Sequence, residues 1–385
     1  MIKPFTFTGA RKIVFGTGSF AKLAEHIQAL RSRCPLVVLD KNLAEAGFHK
    51  KVADVLGQSG LKVSFFDKAE PEPRLELADE GARIARKGKC DLVVGIGGGS
   101  AMDLAKAIAA VAGNEGKAVD YLGLNKVPGP GLPTIMIPTT AGTGSEVTFT
   151  AVFVRQNLKK KEGMNSPYLY PDVALLDPEL TLTLPPEPTA TTGLDALCHA
   201  IESYTSTNAS PMSEMISLEA IQLISDNLRA CVHNGRDLEA REQMLLGSLY
   251  AGLGLANGGV TAVHSLSYPL GGKYGVPHGL ANTLLLPHVM AFNLPGNLEK
   301  FAVIAEVMGE IIDGLPLREA ARLAVEAVTS LIEDCGVYTT LEDLNIPKEA
   351  FPELAKVAMT VARPLANNPR KLTLDDAIEI YEEAY

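Results

Sequence analysis

Four residues in the second half of the chain have the types and the spacing of a metal site. Asp195 and His199 are four residues apart, so they would share one face of a helix whose other residues are mostly apolar. His264 lies in a run of small residues, and His278 lies in a Pro-His-Gly turn. Each histidine alone is more often a core residue than a ligand. One carboxylate and three imidazoles together favour a divalent transition metal, Fe(II) or Zn(II).

A glycine-rich segment in the first half has the pattern of a phosphate-binding turn. Residues 95–100, Gly-Ile-Gly-Gly-Gly-Ser, follow an apolar run and precede a helical one. Glycines let the backbone approach a phosphate closely, and the helix N-terminus offers N–H groups and a favourable dipole. The strict dinucleotide fingerprint has Gly where Ser100 stands and follows the first strand. A tight strand-to-helix turn without a ligand is therefore the alternative.

Two further segments have residues suited to the rest of a dinucleotide. Asp40 closes an earlier apolar run, where a carboxylate can accept hydrogen bonds from a ribose diol and repel a 2′-phosphate. This favours NAD over NADP, and a surface turn is the alternative. Residues 138–146 follow another apolar run and offer hydroxyl and N–H groups to ribose, phosphate or nicotinamide. A helix N-cap at Thr143 or Ser145 would explain the same segment without a ligand.

The elements that must position these residues alternate between strands and helices in the first half. Strands of four or five residues separated by helices indicate a mostly parallel sheet covered by helices on both faces. The predicted strands are 36–39, 62–66, 92–96, 134–137 and 173–176. The predicted helices are 44–56, 75–86 and 102–111.

The pattern changes at residues 184–188, Leu-Pro-Pro-Glu-Pro, because three prolines in four positions interrupt regular structure. A chain of 385 residues also suits two domains. We therefore predict an α/β domain over residues 1–184 and an all-helical domain over residues 185–385. The predicted helices of the second domain are 189–207, 211–230, 238–256, 259–270, 279–292, 297–309, 316–334, 347–358 and 374–384.

Composition excludes several classes of protein. With 46% hydrophobic and 21% charged residues, the chain is not disordered. Its formal charge of −10 argues against nucleic acid or an anionic membrane as a partner, and its apolar runs fall short of the ~18 residues of a membrane span. Five scattered cysteines without a CxxC pair argue against a disulfide framework. We expect a cytoplasmic protein.

The order and spacing of four motifs identify a family. The sequence resembles the iron-dependent (group III) alcohol dehydrogenases across nearly its whole length. The motifs are Gly-Gly-Gly-Ser at 97–100 followed by Asp103 and Lys106, Pro-Thr-Thr-Ala-Gly-Thr-Gly-Ser-Glu-Val at 138–147, Gly-Leu-Asp-Ala-Leu-Cys-His-Ala-Ile-Glu at 193–202, and Pro-His-Gly at 277–279.

The resemblance implies a fold, an activity and a set of site residues. The implied fold is a dinucleotide-binding α/β domain with a parallel sheet, followed by an all-α metal-binding domain, as in dehydroquinate synthase. The implied metal ligands are Asp195, His199, His264 and His278. The implied cofactor contacts are Asp40, Gly97, Gly98, Gly99, Ser100, Asp103, Thr139, Thr140, Thr143 and Lys161. The implied activity is reversible hydride transfer between NAD(H) and short primary alcohols or diols, with Fe(II) or Zn(II), in a homodimer or larger homo-oligomer.

The sequence departs from the family pattern at two positions. Where many members have a histidine four residues after the third metal ligand, this chain has Tyr268. We predict that Tyr268 relays protons, although a phenol titrates near ~10 and an imidazole near ~6.5. The family's Pro-Asn-Pro turn reads Pro-Glu-Pro here, which places Glu72 where the asparagine of some members contacts the cofactor.

Other functions share parts of this pattern. A glycerol-dehydrogenase-like or dehydroquinate-synthase-like zinc enzyme would have a similar fold. The second of these should carry phosphate-binding basic residues, and Lys273 is the only one that we place near the predicted ligands. The alternative that is not an enzyme is a non-catalytic NAD-binding protein. The presence of the four predicted ligands together with the glycine-rich loop argues against it.

Overall fold

The computed structural model describes residues 3–57, 59–155 and 160–385, without the side chain of Lys160. Contacts divide the chain into two units. One comprises residues 9–182, and the other comprises residues 183–385 together with the N-terminal segment up to Thr8. Thr8 exchanges two hydrogen bonds with Asn257 of the second unit. We propose the domain division at residues 184/185 as predicted, with this short N-terminal segment packed on the helical unit.

The first unit alternates strands and helices along the chain. Its elements are β1 (Ile13–Phe15), α1 (Leu23–Ala29), β2 (Pro35–Asp40), α2 (Lys41–Glu45), α3 (Phe48–Leu56), β3 (Ser64–Ala69), α4 (Glu76–Gly88), β4 (Leu92–Gly97), α5 (Gly99–Gly113), β5 (Gly123–Leu124), β6 (Thr134–Pro138), β7 (Thr150–Arg155), β8 (Lys160–Asn165) and β9 (Val173–Leu176).

Six of these strands form a parallel sheet in the order β1-β9-β6-β4-β2-β3. Side chains alternate between its two faces, and both faces are covered. Val37 and Val94 pack in a core that includes residues of α1 and α3, whereas Leu36 and Val93 pack with α4 and α5. This two-sided burial explains why the central strands are continuous apolar runs.

Three neighbouring strands of this sheet end beside one another. β2 ends at Asp40, β4 at Gly97 and β6 at Pro138, and β4 pairs with both of the others. Because the strands are parallel, the segments that follow them meet at the carboxyl edge of the sheet. In parallel α/β folds this edge is where ligands bind.

A second, smaller sheet has the order β5-β8-β7. β7 and β8 are antiparallel and pair from Thr150 with Asn165 to Arg155 with Lys160. Sequence analysis did not predict these strands. β8 consists of Lys-Lys-Glu-Gly-Met-Asn, whose charged residues and glycine are uncommon in strands.

The second unit is built from helices. They are α6 (Pro186–Thr205), α7 (Pro211–His233), α8 (Leu238–Gly258), α9 (Ala262–Tyr274), α10 (His278–Asn293), α11 (Leu298–Val307), α12 (Leu317–Asp334), α13 (Phe351–Ala358), α14 (Ala362–Asn367) and α15 (Leu374–Glu383).

Helix α6 is the centre of this unit. It is buried without interruption from Gly193 to Thr205, and it packs against α7, α8 and α10. The proline cluster that follows the first unit also begins this helix. Pro186 occupies the first turn, where a backbone N–H would have no partner within the helix. Within the described part of the chain, no helix is both long and apolar enough to cross a membrane.

Most predicted elements are present, with differences at their ends. The predicted helix 44–56 is two helices, because Gly47 adopts a left-handed conformation (φ 79°) that ends the first. The predicted strand 62–66 lies two residues later, at Ser64–Ala69. Helix α5 begins at Gly99, three residues before the predicted start, so its first turn contains part of the glycine-rich loop. The elements that sequence analysis did not predict are β1, α1, β5, β7, β8 and α14.

Candidate metal and cofactor sites

Three helices bring the four predicted metal ligands together. Asp195 and His199 lie one turn apart on α6, His264 lies in the first turn of α9, and His278 is the first residue of α10. One ligand atom from each residue lies within 4.8 Å of the corresponding atom of every other. Three of the residues are buried, and His278 is half-buried.

The nitrogen atoms of this group converge on one region. Nε2 of His199 and Nε2 of His264 are 3.1 Å apart, and Asp195 Oδ1 lies 3.9 Å from His199 Nε2. The His264 and His278 ring centroids are 5.2 Å apart. Three imidazoles and one carboxylate are the donors that Fe(II) and Zn(II) take, so the residues present fit such an ion.

The electrostatics of the cluster are coupled. Burial acts to raise the pKa of Asp195, but His199, His278 and His264 outweigh it, and the pKa is lowered overall. Burial acts to lower the pKa of His264, but attraction to Glu202 and Asp195 outweighs it, and the pKa is raised overall. The carboxylate is therefore held in its charged, metal-binding form.

Two polar residues beside the four complete this group. The carboxylate of Glu202 accepts a hydrogen bond from Nδ1 of His264, the ring nitrogen opposite the one that faces His199. The amide nitrogen of Asn282, one turn after His278 on α10, donates to Asp195 Oδ1 at 2.7 Å. Both side chains are buried, at 2% and 0% exposure. Sequence analysis gave neither a role, although Glu202 closes the quoted 193–202 motif in an otherwise apolar stretch.

Tyr268 lies against the rings of two predicted ligands. Its ring is stacked on that of His278 with 6.0 Å between centroids, and it meets the His264 ring edge-on at 6.1 Å. Burial, together with the Glu202 and Asp195 carboxylates, raises the pKa of Tyr268 to about 12. The phenol is therefore protonated at neutral pH and can act as a hydrogen-bond donor.

The glycine-rich loop, the segment after β6 and Asp40 are in contact with one another. A Cβ on Gly97 (φ 148°) would lie 3.1 Å from the Cβ of Asp40, and one on Gly99 would lie 2.7 Å from Thr143 Cγ2. Thr139 N donates to the Gly97 carbonyl at 3.0 Å. The structure thus places the predicted diphosphate loop beside the predicted ribose residue.

This edge of the sheet has features that suit an anionic nucleotide. No side chain caps the N-terminus of α5, and N–H groups at a helix N-terminus are suited to binding an anion. A Cβ on Gly98 would have contacts only at 3.6 Å, with Thr140, and Thr140 Oγ1 has no hydrogen-bond partner among the described residues. The arrangement fits a bound dinucleotide diphosphate.

Asp103 and Lys106 connect α5 to the segment after β6. Asp103 accepts hydrogen bonds from Ser145 Oγ at 2.5 Å and Val152 N at 2.9 Å. The buried Lys106 ammonium donates to the Ser145 and Thr150 carbonyls at 2.9 and 2.5 Å and lies 3.3 Å from Asp103. These contacts join Asp103 to the segment after β6, and its predicted contact with the cofactor stays a prediction.

Lys161 forms an ion pair with Glu72. Its Nζ lies 2.6 Å from Glu72 Oε1, and the side chain of Lys161 is 7% exposed. Glu72 has the uncommon left-handed conformation (φ 51°), and its backbone N–H donates to Ser100 Oγ at 3.2 Å. The residue that departs from the family's Pro-Asn-Pro turn therefore connects the predicted cofactor lysine with the predicted diphosphate loop.

Known proteins match this chain over nearly its whole length. Residues 10–178 match the family model described as iron-containing alcohol dehydrogenase, and residues 189–385 match the model of its C-terminal part. Long-chain-alcohol dehydrogenase 1 of Geobacillus thermodenitrificans is 41% identical, over 96% of this chain and 94% of its own. NAD-dependent methanol dehydrogenase of Bacillus methanolicus is 38% identical, over 96% of this chain and 97% of its own. A solved structure of 1,3-propanediol oxidoreductase superposes with a TM-score of 0.96 over both whole chains at 38% identity.

This chain belongs to the iron-containing alcohol dehydrogenase family.

Family membership confirms several predictions. The fold class, the activity as an alcohol dehydrogenase, and NAD and iron as cofactors are confirmed. The roles of individual residues stay predictions. The structure brings the four metal residues together, and it places Asp40, Thr140 and Thr143 against the glycine-rich loop.

The four-residue site predicts one divalent metal ion per chain. We expect one Co²⁺ to bind to each chain in an anaerobic titration of metal-stripped protein. Substituting His199→Ala should weaken binding by more than about 100-fold, because loss of a ligand should exceed the 10–100-fold effect of losing an outer partner. His233→Ala, at an exposed histidine of α7, is the control. Equal affinity in the His199 variant would contradict the assignment.

Proposed function

We propose that this protein catalyses reversible oxidation of short primary alcohols or diols to aldehydes, with NAD as hydride acceptor and Fe(II) held by Asp195, His199, His264 and His278. The observation that carries this proposal is the convergence of these four donor atoms within 4.8 Å in a member of the iron-containing family. When bound, the ferrous ion supplies Lewis acidity that eases deprotonation of an alcohol, and NAD accepts the hydride.

The residues of the sheet edge bind and orient NAD in this proposal. The backbone of Gly97, Gly98, Gly99 and Ser100 and the N-terminus of α5 hold the diphosphate. Asp40 accepts hydrogen bonds from the adenosine ribose. The remaining contacts, grouped around the segment after β6 and the β7–β8 sheet, are Thr139, Thr140, Thr143 and Lys161, with Asp103 holding the loop from behind.

The names of the relatives guide the choice of alcohol. The relatives compared above are named for long-chain alcohols, methanol and 1,3-propanediol. Each of these names contains an alcohol, and the alcohols differ in chain length. We therefore propose a primary alcohol or diol and rank short chains by experiment.

The direct test is NADH formation at 340 nm with Fe(II)-loaded protein and a panel of primary alcohols and diols. We expect turnover that disappears when the metal is removed, because removal takes away the Lewis acid that eases deprotonation of the alcohol. His264→Ala should abolish turnover, whereas its affinity for NADH, read by fluorescence, should stay unchanged. Turnover by the metal-free protein, or by the His264 variant, would contradict the proposal.

Asp40 should determine the choice between NAD and NADP. Its carboxylate accepts from Asn42 N at 2.8 Å as the cap of α2, so Asp40→Ser keeps a capping oxygen and removes the charge. Opposing a 2′-phosphate with a carboxylate costs several kcal/mol, so the variant should raise the NADP/NAD ratio of kcat/KM at least about tenfold. Asp54→Ser, on the exposed face of α3, is the control, and an unchanged ratio at position 40 would refute the role.

Tyr268 is proposed to pass the alcohol proton through its hydroxyl. Tyr268→Phe keeps the ring packed against His264 and His278 and removes only the hydroxyl. We expect kcat/KM to fall by about 10²–10⁴-fold, the range of a general acid–base group, with unchanged Co²⁺ and NADH affinities. Tyr274→Phe, on the same helix, is the matched control. Full activity of the Tyr268 variant would assign the proton to another route.

Assembly and location complete the proposal. We propose a homodimer joined through residues 5–15, because β1 is an edge strand and both Phe5 and Ile13 are exposed. Sedimentation equilibrium should give twice the chain mass of 40.9 kDa, and a monomer would contradict it.

We propose the cytosol because the cysteines at positions 34, 90, 198, 231 and 335 are free thiols. Cell fractionation tests this location.

A further inference from the structure

Glu202 is a buried carboxylate that the four-ligand site does not use. It lies three residues after His199 on α6 and is 2% exposed. Removing an ionised carboxylate from water is costly unless its oxygen atoms receive hydrogen bonds or an opposite charge. The contacts that stabilise Glu202 therefore indicate what it does.

One carboxylate oxygen holds the beginning of α9. Oε1 of Glu202 accepts hydrogen bonds from the backbone N–H and the hydroxyl of Thr261, at 3.0 and 2.7 Å, and from Val263 N at 2.9 Å. Thr261 is the residue that precedes the helix, so these donors include N–H groups that have no partner within α9. A negative charge at a helix N-terminus is also favoured by the helix dipole. Glu202 thus fastens the N-terminus of α9 to α6.

The other oxygen holds the ring of His264. Oε2 of Glu202 accepts a hydrogen bond from Nδ1 of His264. A neutral imidazole carries its proton on one nitrogen, so a proton fixed on Nδ1 leaves Nε2 with its lone pair. Nε2 is the atom that lies 3.1 Å from His199 Nε2, inside the ligand group.

We propose that Glu202 is a positioning residue for the metal: it docks the start of α9 on α6 and fixes the tautomer and orientation of His264, so that Nε2 points at the ion. This inference rests on the proposed function, since it takes the four-residue group as the metal site. It assigns to Glu202 an effect on metal affinity that packing alone would not produce.

The surroundings of Glu202 also suggest an alternative role, as a ligand of a separate metal site. Ligand atoms of Cys198, Glu202 and His264 also lie within 4.8 Å of one another. In this structure the Cys198 thiol donates a hydrogen bond to Glu202 Oε2, with Sγ and Oε2 3.7 Å apart. The carboxylate oxygens already accept from four donors of α9 and the residue before it. These contacts favour the positioning role.

The test compares Glu202→Gln with the unaltered full chain in anaerobic Co²⁺ titrations against a competing chelator. The amide keeps the size of the side chain but loses the charge, and it can no longer satisfy Thr261, Val263 and His264 together. We expect the Co²⁺ dissociation constant to rise about 10–100-fold, with unchanged NADH affinity and circular dichroism. Glu187→Gln, at an exposed position of the same helix, should leave the constant unchanged.

Each outcome separates the two proposals. If the unaltered chain binds no Co²⁺, the proposed function fails at its metal site. If it binds one Co²⁺ and Glu202→Gln binds equally tightly, the metal site stands and the positioning role is overturned. Two bound Co²⁺ ions with a thiolate charge-transfer band that Cys198→Ala removes would assign the Glu202 group to a second metal site and overturn the proposal.

The unaltered protein provides an independent measurement if the variant does not fold. Histidine-selective ¹⁵N spectra of the Zn²⁺-loaded chain should show one buried imidazole, absent in His264→Ala, that is protonated at Nδ1 and bound through Nε2. The opposite pattern, with Nδ1 bound and Nε2 protonated, would overturn the assignment to Glu202.

Discussion

The helical unit depends on placing a carboxylate and three imidazoles in an apolar interior. Such a group is stable only if its charges and polar atoms meet partners of opposite character. Asp195 is held by the surrounding histidines and by Asn282, and His264 is held by Glu202. The close approach of α10 also requires a glycine, because a Cβ on Gly279 would lie 2.5 Å from the Thr191 carbonyl oxygen of α6.

In the first unit, the parallel sheet determines where polar groups can lie. Its central strands are buried on both faces, which leaves their carboxyl ends as the places where polar groups can lie. Lys106 and Asp103 join helix α5 to Ser145, which follows the Thr139–Thr143 segment. The segment beside the proposed cofactor site is therefore joined to α5 by the contacts of Lys106 and Asp103.

The sequence predicted what depends on local pattern and motif. Apolar runs located β2, β4, β6 and β9, and the spacing of Asp195 and His199 indicated a shared helix face. The contacts that it missed join residues distant along the chain. Glu202 acts through groups 59–62 residues away, and the partner of Glu72, Lys161, is 89 residues away. Strand β8 was missed because its pairing with β7 overrides unfavourable residues for a strand.

The central claim is that one ion is bound by residues of α6, α9 and α10. X-ray absorption and anomalous diffraction on anaerobic, Fe(II)-loaded crystals would test it most directly. The account predicts one iron per chain, with oxygen from Asp195 and nitrogen from His199, His264 and His278, and no sulfur neighbour. Iron at another position, or a sulfur ligand from Cys198, would contradict it.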